Sequence, residues 1–179
     1  SINNSTFTRM ESEGETGLFS QIATSPNSSV QILNSQFDKI STISSGALLT
    51  SRSSSILRSN RPEFGINLRM DNCIMTNFES EEIFYFYNLI CSSCVIKNSL
   101  LQMHQLQPES SLKNTFFFEK VFGSLDIDNV QFMLPRNAPI SLIQVINSTL
   151  LTVSLRNIHY DGFISQNKCM SLNLITLDS

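Results

Sequence analysis

The chain is 179 residues long, enough for one domain with a sizeable core, and its 12 basic and 15 acidic residues leave a net charge of −3. Charges scattered this thinly form no patch that neutralises a row of phosphates, which argues against nucleic-acid binding; no apolar run approaches the roughly 20 residues of a membrane-spanning helix. Polarity comes instead from 29 Ser and 17 Asn, with no Trp, a composition suited to turns and hydrogen-bonded ladders and unsuited to an all-helical bundle.

The chain opens on Ser1 without Met and without a basic-then-apolar leader, so it reads as a mature chain or an interior piece of a longer protein. Sequons begin at Asn3, Asn4, Asn27 and Asn147; the first three are candidate N-glycosylation sites. Glu11 to Gly17, and more prominently residues 51–63 with Arg52, Arg58 and Pro62, read as loop excursions from a regular pattern.

That pattern is apolar-x-apolar-x-Asn-x-x-apolar. It reads Val30, Ile32, Asn34, Phe37; Leu68, Met70, Asn72, Met75; Cys94, Ile96, Asn98, Leu101; Leu125, Ile127, Asn129, Phe132; and Val153, Leu155, Asn157, Tyr160. Its asparagines are 38, 26, 31 and 28 residues apart, a unit of about 30. Asn88, Asn98 and Asn114 match Asn147, Asn157 and Asn173 at an offset of 59, which gives two such units and three asparagine-marked bends in each.

Alternation as in Leu125-Asp126-Ile127-Asp128 has the period of a strand with one buried face. Short strands of this kind, three to a unit and stacked at a fixed period, make an all-β parallel β-helix of about six rungs in a single domain. Asn tolerates the left-handed conformation a bend requires, and its amide both donates and accepts. Asn34, Asn72, Asn98, Asn129 and Asn157 are therefore expected to stack as a structural ladder of buried amides. Asn147 is expected to face that ladder and to stay unglycosylated.

On the pattern exemplified by Val30-Gln31-Ile32-Leu33-Asn34-Ser35-Gln36-Phe37, from about Ser28 to Thr176, the chain resembles the right-handed parallel β-helix repeat family with the pectin-lyase-like fold. The likeness is to its long, non-catalytic members in large surface proteins. It implies a right-handed coil and an extracellular or cell-surface location. Because the family includes polysaccharide lyases and hydrolases, it also directs attention to carboxylates.

Asp126 and Asp128 share the outward face of one strand, as a paired acid and base would. The motifs of the family's galacturonan hydrolases, Asn-Thr-Asp, Asp-Asp, Gly-His-Gly and Arg-Ile-Lys, have no match, so the two aspartates read as solvated positions and no catalytic residue is expected. His159 and Asp161 flank Tyr160, which fills the apolar slot of Phe37 and Phe132, while Asp161-Gly162 reads as a bend. His104 has no acidic neighbour.

Cys91-Ser92-Ser93-Cys94 has redox or zinc spacing but neither the following helix nor the second ligand pair those sites need. No metal and no cofactor are expected. Cys94 and Cys169 read as core residues or disulfide halves, and Cys73 bridging to Cys91 or Cys94 is the expected disulfide, because adjacent rungs lie about 4.8 Å apart. Phe84 and Phe86, taken as inward, leave Tyr85 and Tyr87 outward. One unit later Phe116, Phe117 and Phe118 are consecutive, so Tyr85, Tyr87, Phe116 and Phe118 are expected to form an exposed interaction stripe.

The expected function is that of a non-enzymatic structural segment of an extracellular or cell-surface β-helical protein. Its partners are other protein subunits or copies of itself, met through outer sheet faces and ends. The alternative is a carbohydrate-binding or polysaccharide-processing module that takes glycans in an outer groove.

Overall fold

The computed structural model describes residues 1–12, 17–23, 28–42, 46–53, 64–103, 114–135, 141–148, 151–163 and 173–178. Asn27, His104, Cys169 and most of the 51–63 excursion lie outside the described residues, as do residues 13–16 of the Glu11 to Gly17 stretch.

The alternating pattern produces strands and, among the described residues, no helix. They are β1 (Ile2–Asn3), β2 (Thr6–Ser12), β3 (Phe19–Ala23), β4 (Ser28–Leu33), β5 (Gln36–Thr42), β6 (Leu49–Ser53), β7 (Gly65–Asp71) and β8 (Ile74–Glu79). β9 (Glu82–Tyr87), β10 (Ile90–Gln102), β11 (Asn114–Glu119), β12 (Phe122–Pro135), β13 (Ser141–Ile146), β14 (Leu151–Arg156), β15 (His159–Phe163) and β16 (Asn173–Asp178) follow. No described helix is long and apolar enough to cross a membrane.

Every pairing is parallel, and strands of equal place in successive coils stack in three columns. The first holds β1, β4, β7, the front halves of β10 and β12, and β14. The second holds β2, β5, β8, the back halves of β10 and β12, and β15. The third is a six-stranded sheet of β3, β6, β9, β11, β13 and β16. Because β10 and β12 run unbroken around one corner, the first two columns form a single ten-stranded sheet. The molecule is thus a parallel β-solenoid. About four turns have neighbours on both sides, against an expectation of about six rungs; among the described residues β1–β3 and β14–β16 are paired on one side only.

The repeat sets the register. Val30, Leu68, Cys94, Leu125 and Val153 are successive partners, as are Ile32, Met70, Ile96, Ile127 and Leu155. Their interior members are buried, as are Phe37, Met75, Leu101 and Phe132 in the second column. A row of one apolar side chain per coil stays continuous only if every coil keeps the same phase, so a slip by one residue would turn the whole row outward.

The corner between the first two columns is an asparagine at every level. Asn4, Asn34, Asn72, Asn98, Asn129 and Asn157 have φ of 51, 49, 54, 50, 52 and 51°, the left-handed region that Asn tolerates better than most residues. Asn88, Lys120 and Asn147 form a second left-handed column after the third sheet. Arg9, Lys39 and Asn77 form a third within β2, β5 and β8. Asn114 does not mark a bend; it opens β11 with its side chain buried, so its likeness to Asn88 and Asn98 is one of spacing alone.

The ladder amides are bonded but exposed, which corrects the expectation that they are buried. Asn72 Nδ2 donates to Asn34 Oδ1 (3.0 Å), Asn34 Nδ2 to Asn3 Oδ1 (3.1 Å) and Asn129 Nδ2 to Asn98 Oδ1 (2.9 Å). Carboxylates interrupt the series: Asn98 Nδ2 donates to Asp71 Oδ1 (2.9 Å) and Asn157 Nδ2 to Asp128 Oδ1 (2.9 Å). The left-handed residue at a convex corner turns its side chain to solvent, and the next residue turns inward. That inward residue is Ser35, Cys73 or Ser99, and Val130 after Asn129, all buried. The Ser99 hydroxyl donates to the Lys97 carbonyl (2.7 Å) and accepts the Cys73 N–H (3.1 Å). Ser35 likewise donates to the Leu33 carbonyl (2.7 Å). The buried polar ladder is therefore one residue beyond the one expected. Asn147, in the second left-handed column, is exposed.

Candidate functional site

Residues three apart on a regular strand face opposite sides, yet Cys91 and Cys94 are both buried. β10 achieves this with a β-bulge. Cys91 and Cys94 pair with Ile66 and Leu68 on β7 and with Gly123 and Leu125 on β12, so three steps on β10 oppose two on each neighbour. The two cysteines form a disulfide with Cα atoms 5.6 Å apart, and Ser92 and Ser93 are pushed to the surface. At Gly123, φ is +106° and a Cβ would collide with the Cys91 carbonyl oxygen, so glycine is required there.

Cys73 is a free, buried thiol, not the cross-rung partner expected. It takes the serine place of the corner, where its neighbour on the next coil is Ser99. Its Sγ donates to the carbonyls of Asp71 (3.4 Å) and Ile32 (3.5 Å), and burial raises its pKa.

Beside the bulge, the outer face of the first column carries a groove of about 330 Å³ lined by Ser29, Gln31, Asn67, Arg69, Ser93 and Lys97, among others. Arg69 (3.1 Å) and Lys97 (3.4 Å) share the Asp71 carboxylate. Burial works to raise the Asp71 pKa, but hydrogen bonds from Asn98, Arg69 and Lys97 and the Lys97 charge outweigh it, and the net shift is downward. Two cations against one carboxylate leave this wall of the groove net positive.

Further along the same face, Arg156 Nη2 donates to Asp126 Oδ2 (2.6 Å) and lies 3.8 Å from Asp128 Oδ2. Both aspartates face outward as expected, tied to a cation on the next coil. His159 and Asp161 are exposed on β15 with Tyr160 half-buried between them, and Asp161-Gly162 lies within the strand where a bend was expected.

The aromatic stripe differs from the expectation in phase. Phe116 and Phe118 face the core, buried and stacked on Phe84 (centroids 4.7 Å apart) and Phe86 (4.9 Å). Phe117 is the outward residue, stacked on Tyr85 at 5.4 Å. Tyr87 adjoins Tyr85 at 6.4 Å, and Lys120 Nζ lies 5.7 Å from the Tyr87 ring centroid. Register decides this, because Phe84, Phe86 and Leu49 already fix which face of the sheet is inside. The outward patch spans two coils, bounded in register by Thr50 and Gln144.

The first and last described coils also carry apolar side chains that are only partly covered. Residues that pack on the core without being fully buried include Ile2, Phe7, Leu18 and Phe19 on the first coil and Leu155, Ile158 and Tyr160 on the last. Phe7 stacks on Phe37 at 5.2 Å, and among the described residues no strand pairs with the other side of β1–β3 or β14–β16. Compared with known proteins, the chain matches no family model, no curated protein and no solved structure.

Proposed function

We propose that the chain is a non-catalytic structural segment of an extracellular or cell-surface protein, a right-handed β-helix of pectin-lyase-like kind, that works by assembly with other subunits or copies of itself. The observation that carries this is the outward aromatic patch on the third sheet, where Phe117 stacks on Tyr85 beside Tyr87, an apolar surface of the kind that meets a protein partner. The Cys91–Cys94 disulfide supports an oxidising compartment. Light scattering across a concentration series tests the reading: reversible growth in mass is expected, and a monomer at every concentration would overturn it.

The groove beside Arg69 and Lys97 favours a second reading, a module that binds acidic carbohydrate through amides, hydroxyls and surplus positive charge. Calorimetry with acidic glycans tests it. Binding lost in Lys97→Ala supports it, while neither binding nor release of reducing ends rejects it.

A further inference from the structure

We propose that the groove beside the bulge takes a hydroxylated ligand by one singly charged oxyanion group, a sulfate ester or a carboxylate, and that Asp71 is its specificity-determining residue, holding the place of that group until the ligand arrives. The inference rests on reading the groove as a ligand site. It adds the charge of the ligand and the residue that sets it.

Register lays the groove out as outward rows that cross β4, β7 and β10. Ser29, Asn67 and Ser93 form the first row, and the bulge is what sets Ser93, in place of Ser92, opposite Asn67. Gln31 and Arg69 lie in the second row, Asp71 and Lys97 in the third. One end therefore offers hydroxyls and amides, and the other offers charge.

The charged end is already occupied from within the chain. Arg69 Nη2 (3.1 Å) and Lys97 Nζ (3.4 Å) reach the same oxygen, Asp71 Oδ2, while Oδ1 accepts from Asn98 Nδ2 (2.9 Å). Asp71 thus uses one oxygen to hold the corner and the other to engage two cations. A guanidinium and an ammonium both carry more donors than one carboxylate oxygen uses. The Arg69 side chain is 55% exposed against 19% for Asp71, so an incoming oxyanion meets the cations from the solvent side and competes with Oδ2 for them. Two cations against one carboxylate leave a single positive charge in surplus, which matches a ligand group of one negative charge.

The same face limits the ligand to one such group. On the next coil Asp126 stands beside Val95 and Asp128 beside Lys97, and these two carboxylates share Arg156. The balance of charge there is reversed. A run of anions crossing the coils would meet repulsion at β12, so the groove favours an isolated charge whose hydroxylated part runs toward Ser29 on β4.

Asp71→Asn separates the two duties of the residue. In register, Asp71 follows Leu33 and Asn3, and Asn3 Oδ1 accepts from Asn34 Nδ2 (3.1 Å) just as Asp71 Oδ1 accepts from Asn98. An amide at this place keeps the corner bond and releases both cations.

Calorimetry of the chain with a monosulfated disaccharide and with a uronate disaccharide tests the proposal, and the one that binds identifies the oxyanion. Asp71→Asn is expected to bind it about fivefold more tightly than the parent, the scale of freeing partly exposed ion pairs. Adding Lys97→Ala is expected to abolish that gain. Asp128→Asn makes the same change in the same row but outside the groove, and is expected to alter affinity by less than about twofold. Equal gains in the two variants would overturn the role of Asp71, because net charge alone would explain them. Affinity unchanged or weakened in a folded Asp71→Asn would overturn the inference and leave the groove standing as a ligand site. Absence of binding by the parent and by Asp71→Asn would overturn both. Arg69→Gln, a change at an exposed side chain, is the second variant: weaker binding than the parent is expected, and equal binding would overturn the pair of cations as the anion's seat.

Discussion

The corner between the first two columns and the third-column sheet repeat with equal regularity, yet they are specified in different ways. The corner asks for a backbone conformation: an asparagine in the left-handed region, its amide in solvent, followed by a residue turned into the coil, a small hydroxyl or thiol at Ser35, Cys73 and Ser99 and an apolar side chain at Val130. The sheet asks for volume. Phe84 with Phe116 and Phe86 with Phe118 stack inside much as Tyr85 with Phe117 stacks outside, and what separates them is water. Similar ring geometry contributes a large stabilisation where burial is complete and a small one where solvent still reaches the pair.

The widest separation is expected in the sheet. Phe118→Ala should lose about 3–5 kcal/mol in denaturant unfolding by emptying a fully buried site, whereas Phe117→Ala, on the same strand, should lose about 1 kcal/mol or less. Equal losses would mean that the outward stack is covered. In the corner, Ser99→Ala should cost about 1–3 kcal/mol, because the Cys73 N–H is left buried without its acceptor.

Its neighbour sharpens the contrast. Asn98→Leu should cost about 1–2 kcal/mol through strain at positive φ, while Asn98→Gly should stay within about 1 kcal/mol of the parent despite losing the amide bonds. If glycine cost as much as leucine, the amides and not the backbone would hold the corner. The last effect is one of pH. Burial, then the neighbouring Glu119, Tyr87 and Glu82, raise the Tyr85 pKa from 10.0 to about 12. The unfolded chain ionises this phenol first, so the stability it contributes is complete below pH 10 and is lost as pH rises toward 12. The stability difference between the parent and Tyr85→Phe should shift across that interval and stay flat below it.

Much of the coil was legible because its signal is local. The five Asn-centred copies gave register partners correctly from Val30 to Tyr160, since an apolar row and a left-handed residue each leave a mark at a fixed spacing. A sixth copy, Ile2, Asn4 and Phe7, fits the same frame with only part of its pattern present. What was not legible depends on neighbours. Three consecutive phenylalanines carry no phase until Phe84 and Phe86 on β9 supply one. An inward Cys91 and Cys94 need an extra residue that only pairing on both sides reveals. The expectation of buried amides assigned the ladder to the residue that bends the chain, when the residue after it is the one turned inward.

The left-handed asparagines have one more consequence, for how such a chain changes length. Asn72, Asn98 and Asn129 occupy the same place in successive coils with nearly the same backbone, so they are interchangeable points of joining. Removing residues 99–129 connects Asn98 to Val130, which follows an equivalent asparagine. It sets the front half of β10 against β14, β8 against the back half of β12 and β9 against β13, with every row in phase. A gene encoding such a coil can lose or duplicate a unit between any two of these codons without a frustrated intermediate. Selection on reach or span then acts on the number of units, separately from selection on the stability of any one of them.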